Sequence, residues 1–195
     1  MSNLSPFNNH SQSSRLVLFF FALMFPLLTS SAAAQQQTKT EPSWFADYLA
    51  FFTKEGGCWV ASNAAYQSQQ ETTESYFVKW NYGVAKNGKH ATLYGIDKGQ
   101  RTDNFWEIRV YWDGESQSVR VDQFGHHGIV GHASLVRTEN GVMEQEMVFS
   151  LPDGRSWKDK HLIEMIDNQH KTTSFDWEDE RWVQKRSYIW ERCTQ

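Results

Sequence analysis

Phe105-Trp106-Glu107-Ile108-Arg109-Val110-Tyr111-Trp112 alternates apolar and polar side chains along its length. Trp106, Ile108, Val110 and Trp112 fall on one face, with Glu107 and Arg109 on the other. A period of two is the mark of a half-buried β-strand, because successive side chains of a strand point to opposite faces. Working outward, the same period recurs from Gly57 to the end of the chain. It predicts about ten strands, near 57–66, 74–82, 90–97, 105–113, 118–124, 129–137, 142–151, 157–167, 171–177 and 181–192. Between them lie Asn87-Gly88, Asp113-Gly114, Asn140-Gly141, Asp153-Gly154 and Asp167-Asn168, residues that tolerate the positive φ of tight hairpins. No helical pattern separates the strands, so a parallel sheet is excluded. Short, evenly spaced strands joined by hairpin turns predict an all-β domain, a sandwich or a barrel.

Before the strands the period changes. Trp44, Phe45, Tyr48, Leu49 and Phe52 recur at helical spacing within 42–53. Pro42 suits a first helical turn, and Gly56-Gly57 suits a stop. Further upstream, the 13 residues Leu16 to Leu28 are apolar, follow a polar stretch with Arg15, and run into Ser31-Ala32-Ala33-Ala34. That order is the pattern of a secretory signal peptide, with cleavage expected after Ala34. The run is too short to span a bilayer comfortably, which takes about 20 residues. The expected organisation is a signal peptide over 1–34, a polar tether over 35–41 and one barrel domain over 42–195, in a periplasmic or secreted protein.

Removing Arg15 from the 19 Lys and Arg leaves 18 against 23 Asp and Glu, a net charge of −5. Such a balance speaks against nucleic acid as a partner. All nine Trp lie beyond the signal segment. They predict either a densely filled core or an aromatic-lined cavity. Cys58 and Cys193 are the two cysteines. In an exported chain they predict one disulfide closing most of the domain into a loop, worth roughly 4–5 kcal/mol in a chain-entropy account.

Gly57-Cys58-Trp59 opens the first strand, and Trp190-Glu191-Arg192 lies late in the last. This pairing resembles the lipocalin pattern, in which the Arg packs across the Trp and closes one end of the barrel. Phe52, Gly128 with Gly131, and Asp153-Gly154-Arg155 extend the likeness to the wider lipocalin-like, or calycin, superfamily. The chain looks most like uncharacterised bacterial members with ten strands. The resemblance implies a closed up-and-down antiparallel barrel with a short capping helix and a ligand in the lumen. Strand parity agrees with it: if Trp59 and Arg192 meet inside, Cys58 and Cys193 both point outward, so one register serves both contacts.

Gly125-His126-His127-Gly128 with His132 is the most conspicuous polar cluster. Adjacent histidines of a strand face opposite ways, and the flanking glycines suit a bulge or turn, so no metal site is expected. His161 alternates with Ile163 and Met165 and is expected in the lumen. There it either hydrogen-bonds a ligand or, less readily, holds haem iron; no cofactor is assigned. Lys158 to Lys160 and Glu178 to Arg181 read as solvated turns. No nucleophile elbow, phosphate loop or dinucleotide motif occurs. The expected ligand-binding residues are Trp80, Tyr82, Trp106, Trp112, His132, His161 and Trp182, around a small apolar molecule. Trp59 and Arg192 are expected to be structural. A barrel enzyme of cyclase, isomerase or dehydratase type would use the same cavity, with His161 beside a carboxylate such as Asp176; parity removes Glu164 from that role. A third reading is a filled barrel with a structural role.

Overall fold

The computed structural model describes residues 40–84 and 87–194. The expected signal peptide and most of the tether lie outside them. A helix α1, Ser43–Thr53, leads into a 3-10 turn, Lys54–Gly57. Eleven strands follow: β1 (Cys58–Ser62), β2 (Thr73–Tyr82), β3 (Gly88–Asp97), β4 (Gln100–Arg101), β5 (Trp106–Asp113), β6 (Ser118–Gly125), β7 (Ile129–Arg137), β8 (Met143–Ser150), β9 (Ser156–Ile166), β10 (Gln169–Glu178) and β11 (Arg181–Arg192). Neighbours pair antiparallel from β5 through β11; β11 then pairs with β1, β1 with β2, β2 with β3, and β3 with β5. The ring of ten strands is closed. The two-residue β4 hangs on β3 alone and was not foreseen.

The closed end is built as parity requires. Trp59 and Arg192 are register partners, and the Arg192 guanidinium lies 3.7 Å from the Trp59 ring centroid. Its two terminal nitrogens donate to the carbonyls of Lys54 (2.6 Å) and Phe51 (2.7 Å), and Trp59 Nε1 donates to the carbonyl of Phe52 (3.0 Å). Helix ends leave carbonyls without helical partners, and these three donors satisfy them. Cys58 and Cys193 form the disulfide on the opposite face of the same strands, with Cα atoms 5.4 Å apart.

The helix stops abruptly because Glu55, Gly56 and Gly57 all take positive φ. Gly57 has no substitute: a Cβ there would sit 2.1 Å from the Trp80 carbonyl oxygen. That contact explains the Gly of the Gly-x-Trp pattern by close approach of two backbones. Phe45, Tyr48, Leu49 and Phe52 are buried under the barrel end. At about 1.5–3 kcal/mol per large side chain, their burial stabilises the docked helix by roughly 6–12 kcal/mol as an upper bound.

Three departures from the sequence-based reading have physical causes. Strand β1 ends at Ser62, not 66, because Asn63 turns inward, fully buried, and donates to the Thr73 carbonyl and Glu71. Lys158 to Lys160, within the expected strand 157–167 yet also read as a solvated turn, belongs to β9, so alternation aims Asp159 inward. In β11, Ser174 pairs with Arg186 but Phe175 pairs with Gln184, which leaves Lys185 as a bulge. A one-residue insertion reverses the faces beyond it. Trp182, on the inward parity of Trp190 and Tyr188, therefore turns outward and meets Trp177 edge-on at 5.0 Å.

Candidate functional site

The barrel encloses a cavity of about 460 Å³, open at the end away from α1. Its floor is Phe52 and Tyr48 of the helix with Trp80, His170 and Trp190. Val78, Leu93, Ile108 and Ile163 form an apolar belt above them. Trp106, Phe149 and Trp157 make an aromatic wall towards the opening, where Phe149 and Trp157 stack at 5.2 Å. Gly125 leaves room for this wall, since a Cβ there would lie 2.1 Å from the Trp106 ring.

Of the expected ligand-binding residues, Trp80, Trp106 and His161 line this cavity. The other four do not. Tyr82 has the inward parity of Trp80, but β2 overshoots the barrel end there, leaving Tyr82 43% exposed beside Phe51 and Lys54. Trp112 overshoots in the same way and meets Pro42 and Trp44 in a surface groove. His132 is on the outer face, bonded to its cross-strand partner Asp122 at 2.7 Å. Trp182 is outside through the β11 bulge. The histidine cluster is dispersed: His126 Nε2 reaches the Asn104 carbonyl at 2.9 Å, and His127 takes a positive φ in a 3-10 turn. Among the described residues no group of three or more His, Cys, Asp or Glu is placed to hold a metal ion.

Several polar groups that line the lumen were not anticipated. Gln123 and Gln145 follow the inward alternation of Val119 with Val121 and of Met143 with Met147, and both are buried. Gln123 Oε1 accepts from Trp106 Nε1 at 2.6 Å. Gln145 Nε2 lies 3.0 Å from His161 Nδ1, and His161 Nε2 lies 3.4 Å from Asp159 Oδ1. As placed, Gln145 turns its NH2 to Nδ1, which accepts. The 3.4 Å approach to Asp159 is not a hydrogen bond, and Oδ1 of Asp159 is buried with no hydrogen-bond partner among the described residues. Asp176 is the register partner of Asp159, and burial together with that neighbouring carboxylate raises its pKa. The enzyme reading's pairing of His161 with a carboxylate thus falls on Asp159, with Asp176 beside it, while Glu164 bonds Lys171 on the outer face.

On the same wall, two strands from His161 with Ser174 of β10 between them, Arg186 donates from both terminal nitrogens to Glu71. Tyr76 also donates to Glu71, and Tyr188 donates to Asn63 Oδ1 at 2.8 Å. The Arg186 bonds hold the Glu71 carboxyl down at about 2. Burial, and then the bond to Glu71, pushes the Tyr76 phenol up to about 12.

The floor carries the most desolvated groups of the site. Lys89 Nζ lies 3.4–3.9 Å from the ring centroids of Phe52, Tyr48 and Trp80. Ring faces favour an ammonium, but Lys89 is 2% exposed and Nζ has no hydrogen-bond partner. Burial wins and holds the amine well below its usual range. His170 is stacked on Trp190 and set edge-on to Trp59. Burial, and then the charges of Lys89 and Arg192, push its pKa well below that of a free imidazole.

No protein-family model matches the chain, and no curated protein matches it at a significant level.

Proposed function

We propose that this chain is an exported, lipocalin-like binding protein that holds one small apolar or amphipathic molecule in its lumen. The observation that carries the reading is the cavity, whose 460 Å³ falls within the 300–1,000 Å³ typical of ligand sites. Its walls are mostly aromatic and aliphatic, with a few polar atoms facing inward, as such sites require. A barrel with a purely structural role would fill this volume with side chains. The Gly57-x-Trp59 turn under Arg192 supports the lipocalin-like assignment. The Cys58–Cys193 bridge supports export, because disulfides persist in oxidising compartments. No helix among the described residues is long and apolar enough to cross a membrane.

The test is titration with an apolar fluorophore, set against a variant whose lumen is filled by Leu93→Trp. Saturable one-to-one binding by the wild type and none by the variant, with both folded by circular dichroism, is the expected result. Fluorophore binding that is absent from the wild type, or indifferent to Leu93→Trp, refutes the reading. A second reading, a barrel enzyme, is favoured by the His161–Asp159 pair on the cavity wall. Its signature is conversion of a bound ligand that stops with His161→Gln while binding persists.

A further inference from the structure

The cavity is asymmetric in charge, and the asymmetry bears on what it accepts. Among the described residues that line it, Arg186 is the one fixed cation. Glu71 engages both terminal guanidinium nitrogens of Arg186, so an incoming anion finds that charge already matched. Lys89 does not line the cavity and stands behind the rings of Phe52 and Trp80. Asp159 lines the lumen with no Lys or Arg bonded to it; its titratable neighbours are His161 and, on the adjoining strand, Asp176, which has Lys185 at 3.8 Å. Neither carboxylate oxygen of Asp159 has a hydrogen-bond partner among the described residues; Oδ1 is buried 3.4 Å from His161 Nε2, and Oδ2 is not buried.

Gln145 supplies a second and independent mark. It is 5% exposed and lines the cavity, and its NH2 is committed to His161 Nδ1. Its carbonyl oxygen has no partner among the described residues and is not sealed from the lumen. That oxygen is open to the lumen and so is available to accept from a ligand's donor. Gln145 is the register partner of His161, and Asp159 stands two residues along the same face of β9. The two side chains that carry these acceptors are therefore diagonal neighbours, about 7–8 Å apart and somewhat less at Cβ, which two side chains reaching towards one ligand atom can close. Trp157 lies two residues further along that face, stacked on Phe149.

An unmatched carboxylate, a free carbonyl and aromatic faces together form a receptor for a protonated amine on an apolar body. We infer that the lumen selects amphipathic amines, whose nitrogen donates to Asp159 Oδ2 and Gln145 Oε1 while the apolar body fills the belt above Trp80. The inference rests on the lumen-binding reading and adds the charge of the ligand to it.

Three probes with one apolar body separate the two ideas: naphthylmethylamine, naphthylmethanol and naphthylacetic acid, each titrated at pH 7 by calorimetry and by quenching of tryptophan fluorescence. The amine is expected to bind the wild type at least about tenfold more tightly than the alcohol, and the acid more weakly than the alcohol. Asp159→Asn keeps the shape of the side chain and removes its charge. It is expected to bring the amine down to the affinity of the alcohol while leaving the alcohol within about twofold. Gln145→Met is expected to weaken the amine several-fold in the same selective way. The wild-type ranking requires no variant, so it decides the matter even where a variant fails to fold. Equal binding of all three probes, or preference for the acid, overturns the inference and leaves the lumen reading standing. An amine-to-alcohol ratio unchanged by Asp159→Asn also overturns it. If none of the three binds, the lumen reading falls and this inference with it.

Discussion

Arg192→Ala removes three contacts at once, and each has a magnitude. The guanidinium lies 3.7 Å from the Trp59 centroid, a cation–π contact of roughly 0.5–2 kcal/mol. It also donates to the Lys54 and Phe51 carbonyls at the end of α1. Bonds from charged donors contribute about 1.5–3 kcal/mol when desolvated. The side chain is only part-buried and the Lys54 bond is exposed to solvent, so about 1 kcal/mol each is the better figure here. The expected loss is about 2–4 kcal/mol, or roughly 5–15 °C in Tm for a domain of this size. Arg192→Lys keeps the charge but not the planar fork, and it should lose about half as much. The bridge beside the contact joins residues 135 apart. By chain entropy it adds about 5 kcal/mol, so the assay is urea unfolding followed by tryptophan fluorescence, run both oxidised and reduced. Stability within about 0.5 kcal/mol of wild type in both states would refute the reasoning that this contact closes the barrel.

Deleting residues 43–52 should lower Tm steeply, and Phe52→Ala alone should cost about 3–5 kcal/mol, because Phe52 is buried against Trp59, Trp80 and His170; an unchanged melting curve would show the helix undocked. His170 is held neutral in the fold, so the unfolded chain binds the additional proton as pH drops through the usual imidazole range near 6.5. Stability should therefore fall with decreasing pH from about 7 towards 5, and His170→Phe should flatten that slope in denaturant titrations. Lys89, depressed in the same direction, adds to stability as pH rises towards its usual value; Lys89→Met should be stabilising at neutral pH, read as a higher denaturation midpoint. Glu71 has the opposite sign: its folded pKa of about 2 lies below the usual 4.5, so its contribution is complete above pH 4.5 and is lost between there and pH 2. Glu71→Gln should remove that acid-range loss, seen as a shallower stability profile below pH 4.5.

What was legible in the sequence follows from which interactions are local. The hairpins and the ten strands follow from alternation and turn chemistry, which operate within a few residues. The closed end was legible because Gly57, Trp59, Arg192 and the two cysteines constrain one another: a single register must satisfy an inward pair and an outward pair. The site was legible only in part. Trp80, Trp106 and His161 sit on the inward parity within the span of the barrel, and they line the lumen. Tyr82 and Trp112 have the same parity but lie past the rim, and alternation cannot tell where a barrel wall ends.

The misplaced and missed residues share a deeper cause. Parity carries across a strand only while its register is unbroken, and the Lys185 bulge breaks it between Tyr188 and Trp182. Nothing in Arg181 to Arg192 marks Lys185 as the inserted residue; its reason is the fit of β11 against β10, a long-range property. Polarity misleads in the complementary way. Asp159 stands between two lysines, a composition that reads as a solvated turn, yet it is two residues before His161 and takes the same inward face. Gln123 and Gln145 interrupt apolar alternation and look like imperfections of the core. In a filled core they would be, since each would leave amide atoms without partners. On the binding reading proposed above, the same interruptions would mark where a ligand's polar atoms belong. The sequence therefore names the wall by its hydrophobic residues, and it marks the lumen's polar positions by the few inward places where hydrophobicity fails.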